Sequence, residues 1–205
     1  ALAAGAPAGS EGTAETASHR HATAEAYRTY LGSLDKHDVN SLSVAADFFA
    51  KNLKDGSATE CMKAAVAFES FLWETIPKLN ENMPELDGNE YRAFVDAHKA
   101  EYQKNGVTLY ETECGPMCDF SATAGQTILK PFLKCSSAQV RAYFALPGGA
   151  PSYPGYISDT SADMARQIGE RELFLAGFPN SVFRDKVVGS RDGAWVGSFL
   201  GGGFC

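Results

Sequence analysis

The sequence predicts a mainly α-helical protein: a bundle of about four N-terminal helices, followed by a loop-rich, partly helical C-terminal half. Three observations predict it. Apolar residues between positions 20 and 106 recur at three- and four-residue spacing, the period of an amphipathic helix. Polar or glycine-containing breaks divide that stretch into four pieces joined by short connections, which favours antiparallel neighbours. At 205 residues and 44% hydrophobic content, with 13 Phe, the chain has ample material for a core of its own.

Taken in order, Arg20 to Leu34 carries Ala24, Tyr27, Leu31 and Leu34 on one face and reads as the first helix. The run Asp35-Lys36-His37-Asp38 breaks it. Asn40 or Ser41 caps a second helix to about Leu53, with Leu42, Ala45, Phe49 and Leu53 in a stripe. Ser57-Ala58-Thr59-Glu60 has the spacing of a capping box and opens a long third helix through Met62, Ala65, Val66, Leu72, Trp73 and Ile76. Pro77 is expected to kink or stop it, because proline lacks the backbone N–H that an interior position needs. Asp87 caps a fourth helix whose stripe is Tyr91, Phe94, Val95, His98 and Tyr102, and Gly106 ends it.

The pattern then changes. Val107 to Tyr110 reads as a short extended piece, and Cys114-Gly115-Pro116-Met117-Cys118 as a turn. Helices follow at 121–134, interrupted by Pro131, at 137–146, and at 160–177, with a Pro/Gly-rich linker between the last two. Beyond Phe178 the chain is rich in glycine and aromatics. Lys186-Val187-Val188, Arg191-Asp192-Gly193 and Ala194-Trp195-Val196 suggest a short hairpin or an extended arm. The organisation is therefore a low-complexity tail at 1–18, a helical bundle at 19–106, a helical extension with a cysteine-containing loop at 107–177, and a Gly/aromatic-rich arm at 178–205.

The net charge is −7. That argues against nucleic acid as a partner, since phosphate neutralisation needs clustered Lys and Arg. No apolar run approaches the roughly 18 residues of a spanning helix. The small residues Ala1-Leu2-Ala3-Ala4 resemble the end of a processed targeting segment, so the expectation is an extracytoplasmic or organelle-targeted protein.

Five cysteines, Cys61, Cys114, Cys118, Cys135 and Cys205, cannot all pair within one chain. Cys114, Cys118 and Cys135 form the densest group, and a disulfide tying the 107–120 loop to the helix near Cys135 is expected. The spacing of Cys114 and Cys118 is one residue longer than a redox turn, with no βαβ platform around it. Cys61 reads as a core or boundary residue. Alternatively, Cys61 beside Lys63, or Cys135 beside Lys134 and near Arg141, offers a thioether anchor for a tetrapyrrole or similar group, its propionates paired by the cations.

Other candidates are thinner. His19, His21 and Glu25 have spacing for a transition metal, but read as solvated polar residues at a helix start. His98 reads as a core histidine bonded to a neighbour. Asp35 to Ser43 resembles a calcium loop, yet Asn40 stands where glycine is needed and Ala46 where a bidentate Glu is needed, so no metal site is assigned. Asp159 and Asp163 share a helical face, a common arrangement on solvated surfaces. No hydrolase, zinc-protease or phosphate-loop signature is present. The resulting expectation is a non-catalytic, linker-type assembly subunit that docks on other protein subunits through its N- and C-terminal arms. The alternatives are a module carrying a small molecule or Cys-linked chromophore, as in a light-harvesting assembly, and a secreted helical enzyme without a visible signature.

Overall fold

The structure is a computed structural model that describes residues 22–86, 88–112, 115–120, 125–146 and 161–200; for 88, 111–112, 161–164 and 193–200 it describes the backbone alone. It is mainly helical. The elements are α1 (Ala24–Gly32), α2 (Asn40–Asn52), α3 (Ala58–Glu81), α4 (Gly88–Lys104), β1 (Val107–Thr112), β2 (Gly115–Phe120), α5 (Gln126–Leu129), a 3-10 turn (Phe132–Lys134), α6 (Ala138–Phe144), α7 (Ser161–Gly177) and α8 (Arg184–Leu200).

The amphipathic stripes close the helical core. Tyr27 and Leu31 of α1, Leu42, Ala45 and Phe49 of α2, and Ala65, Phe68, Leu72 and Ile76 of α3 are buried together. Caps satisfy the orphan donors at the helix starts. Thr23 accepts the Ala26 N–H at 3.1 Å, and Ser57 accepts the Glu60 N–H at 3.2 Å. The reciprocal half of the expected capping box is diverted. Glu60 instead accepts the Ala24 N–H at 2.7 Å, tying the start of α1 to the start of α3 and holding the Glu60 carboxyl below its usual range. The cap of α2 falls one position earlier than expected, at Val39, and Asp38 accepts the Asn40 N–H at 2.9 Å.

Pro77 does not stop α3, which continues to Glu81. The proline lies on the exposed face, so the Trp73 carbonyl it leaves without a helical donor sits on the solvent side, while Ile76 and Leu79 stay buried and hold the last turns to the core. At the end of α3, Asn80 acts as a surrogate backbone for the sheet. Its Nδ2 donates to the Cys118 carbonyl at 2.9 Å, and its Oδ1 accepts the Cys118 N–H at 2.8 Å.

The segment expected as an extended piece plus a turn is an antiparallel hairpin, with Val107 opposite Phe120 and Leu109 opposite Cys118. Gly115 to Cys118 belongs to β2 rather than to the turn. Pro116, Cys118 and Phe120 are buried while the alternate residues are not, the two-residue period of a half-buried strand. Gly106 makes the entry into β1 with φ +79°, and a Cβ there would come within 3.0 Å of Gly125 and of the Phe120 ring, so both conformation and space require glycine. Helix α4 packs mainly on this hairpin, with the Tyr91 hydroxyl shared between the carbonyls of Tyr110 (2.8 Å) and Gly115 (3.0 Å).

The C-terminal stretch read as a hairpin or extended arm is helix α8, packed along α7. Phe183 and Val187, one turn apart, are both buried, and this packing outweighs the poor helix propensity of Gly189 and Gly193. The N-terminal tail, the linker at 147–160 and positions 201–205 lie outside the described residues.

Candidate functional site

The cysteines expected to tie the loop are arranged otherwise. Cys135 is bonded to Cys61, with an S–S distance of 2.00 Å, and not to Cys114 or Cys118. The helical register explains it: Cys61 lies on the buried stripe of α3, and the 3-10 turn carries Phe132 and Cys135 onto that same stripe. Both residues are 0% exposed. The two sulfurs considered as thioether anchors are therefore joined to each other, which leaves neither of them free for a tetrapyrrole. Cys114 and Cys205 lie outside the described residues.

Cys118 is a free, buried thiol whose pKa burial pushes up to about 12, with the Asp119 carboxylate adding to the shift. It is thus neutral at pH 8 and shielded. Ellman's reagent at that pH is expected to leave Cys118 unmodified in the folded protein and to label it once 6 M guanidinium unfolds the chain; rapid labelling of the native protein at Cys118 would contradict its burial.

His98 is not a core histidine. Its side chain is 44% exposed, its Nδ1 lies 3.9 Å from Glu101, and its ring rests on Phe94 with centroids 4.5 Å apart. His19, His21 and Asp159 lie outside the described residues, as does the side chain of Asp163, and Glu25 pairs with Arg28 at 2.8 Å. In the Asp35 to Ser43 stretch the carboxylates serve the local turn: Asp35 accepts the His37 N–H at 2.9 Å and Asp38 accepts both N–H groups of Asn40. Among the described residues, no group of three or more His, Cys, Asp or Glu side chains is placed to hold a metal ion.

The most distinctive polar constellation is one that sequence reading did not single out. Glu69, on the buried stripe of α3, is 0% exposed. Its Oε1 accepts the Trp73 indole N–H at 2.8 Å and the Tyr143 hydroxyl at 3.1 Å, and its Oε2 is paired with the Lys186 ammonium. Burial pushes the Tyr143 phenol well above its ordinary range and the Lys186 ammonium below its own. Tyr143 in turn stacks on Phe183, ring centroids 4.0 Å apart and 8° from parallel. The carboxylate thereby joins α3, α6 and α8. The signal was in the sequence: Glu69 follows Phe68 and precedes Leu72 at helical spacing, so a charge sits on an otherwise apolar stripe.

Two open features lie nearby on the surface. A groove of about 590 Å³ runs between α5, the 3-10 turn and α6, walled by Leu129, Leu133, Phe144 and Leu146. A smaller cleft of about 280 Å³ lies between α1 and α3, bridged by the Lys36–Glu74 ion pair. No protein-family model matches the chain, and neither a curated protein nor a solved structure matches it. The residues themselves carry the functional argument. Among the described side chains, the most exposed large apolar ones are Leu173, 73% exposed in the last turns of α7, and Val182, 52% exposed just before α8. Leu133, at 40%, adds to the apolar rim of the groove.

Proposed function

We propose that this protein is a non-catalytic assembly subunit, and that it docks on a partner protein through the turn end of the α7–α8 pair. The observation that carries this reading is Leu173, exposed over 73% of its surface on a helix whose opposite face is already seated, with Val182 across the turn. An exposed apolar side chain becomes favourable where a partner buries it, and full burial of a Leu or Val gains about 1.5–3 kcal/mol. The charged neighbours Glu172, Arg184 and Asp185 supply a polar rim.

The expectation from sequence put docking on the N- and C-terminal arms; this reading puts it on the α7–α8 helical pair, and the N-terminal arm lies outside the described residues. The Cys61–Cys135 disulfide supports an oxidising compartment, hence an extracytoplasmic setting. No helix among the described residues is long and apolar enough to cross a membrane.

The test is the size of the native protein. In a gentle extract of its source, the wild type is expected to elute well above its 21.9 kDa chain mass. The double variant Leu173→Glu/Val182→Glu is expected to elute near that mass with an unchanged melting temperature, since both positions are solvent-facing. A wild type that elutes at monomer size, or a variant that stays in the complex, defeats the reading.

A further inference from the structure

We propose that α7 and α8 form a displaceable hairpin that lifts from the helical core as one cooperative unit, with Lys186 as its latch. This goes beyond docking at the turn and does not depend on it.

The pair is tied internally. Arg171 of α7 is 4% exposed, and its Nε donates to Ser190 Oγ of α8 at 2.9 Å. The two helices pack along each other, and Ile168 is buried with them. The hairpin therefore carries a polar tie and apolar contacts that survive separation from the rest.

Among the described side chains, its attachment to the core falls on a small face. Phe183 stacks on Tyr143, Phe174 meets Tyr143 edge-on at 6.2 Å, Ser181 donates to Gln139 at 2.8 Å, and Lys186 reaches Glu69. Helix α6 supplies most of that seat.

The decisive feature is how Glu69 is held: Oε1 accepts two hydrogen bonds, while Oε2 meets the Lys186 ammonium as an ion pair and accepts no hydrogen bond. Breaking a buried ion pair is ordinarily costly because it strands a charge without partners. Here the two donors on Oε1, Trp73 and Tyr143, belong to α3 and α6 and stay with the core when α8 leaves. Only Oε2 loses its partner, and it faces the seat that α8 vacates, where water enters. The Lys186 side chain is already 38% exposed, so its ammonium has little further to go to reach solvent. Both halves of the ion pair thus have somewhere to go, which lowers the cost of opening relative to an enclosed pair. A unit with its own internal ties and a limited seat is the kind of element that opens sub-globally.

Hydrogen exchange followed by mass spectrometry on the full, disulfide-intact chain tests this. Peptides covering 165–192 are expected to exchange together, with protection on the order of tenfold or more below that of peptides from α2 and α3. Lys186→Met is expected to speed exchange of the 165–192 peptides further while leaving α2 and α3 unchanged. If the 165–192 peptides of the wild type exchange only through the opening that also exposes α2 and α3, there is no separate unit. A Lys186→Met variant that accelerates all peptides equally overturns the latch as well.

Discussion

Phe132→Ala is expected to destabilise the protein by about 3–5 kcal/mol, the range for deleting a fully buried phenylalanine. Phe132 is 0% exposed and sits where four elements meet. Its ring stacks on Phe49 of α2 at 4.1 Å, on Phe68 of α3 at 4.4 Å and on Phe144 of α6 at 4.8 Å between centroids. Alanine removes one partner from all three contacts at once. The surrounding rings belong to different helices, so they cannot collapse into the space together without moving backbone, and the cavity penalty adds to the lost transfer energy. For a chain of this length the melting temperature should fall on the order of 10 °C. Urea unfolding followed by circular dichroism measures the loss directly. Phe132→Leu, which keeps most of the volume, should cost much less. A loss below about 1 kcal/mol for the alanine variant would mean that the ring is not the packing centre these distances describe.

What the sequence disclosed, and what it hid, follows from the range of the forces involved. The stripes of α1 to α4 repeat every few residues, and a local period reports a local structure; Tyr27, Leu42, Phe49, Leu72 and Ile76 were all legible as core. The pairing of Cys135 with Cys61 across 74 residues was not, because neighbouring cysteines in sequence say little about which helix faces bring sulfurs together. Strand β2 was hidden by its composition: Gly115 and Pro116 read as a turn, although Pro116, Cys118 and Phe120 carry a two-residue period. Helix α8 was hidden by its glycines, whose weak propensity gives way once Phe183 meets Tyr143 and Val187 is buried. At the candidate site, Leu173 was indistinguishable from its buried neighbour Phe174 until the seat of α7 was known. Glu69 was the one visible clue passed over, a charge on an apolar stripe whose partners come from positions 73, 143 and 186.

The second large effect is expected from the disulfide. Replacing both Cys61 and Cys135 with alanine should cost about 2–5 kcal/mol. The crosslink closes a loop with a sequence separation of 74, for which the chain-entropy relation gives about 4.5 kcal/mol at room temperature, nearly all of it through the unfolded chain. Alanine is the better substitution than serine, since both sites are 0% exposed and a hydroxyl there would be buried. Urea unfolding of the double variant, set beside the wild type reduced under denaturing conditions, should give matching losses. In a non-reducing tryptic digest of the wild type, the fragment Asp55–Lys63 should remain joined to Cys135–Arg141. A double variant as stable as the wild type would show that the constraint is redundant with the packing around it. That outcome is disfavoured by where the bond lies. Cys135 follows Phe132 by three residues in the same short turn, a segment with too little helix of its own to hold position. The sulfur bond and the stacked ring fix one element from two sides, so removing both should cost a different amount from the sum of the single losses, a departure that a double-mutant cycle reads directly.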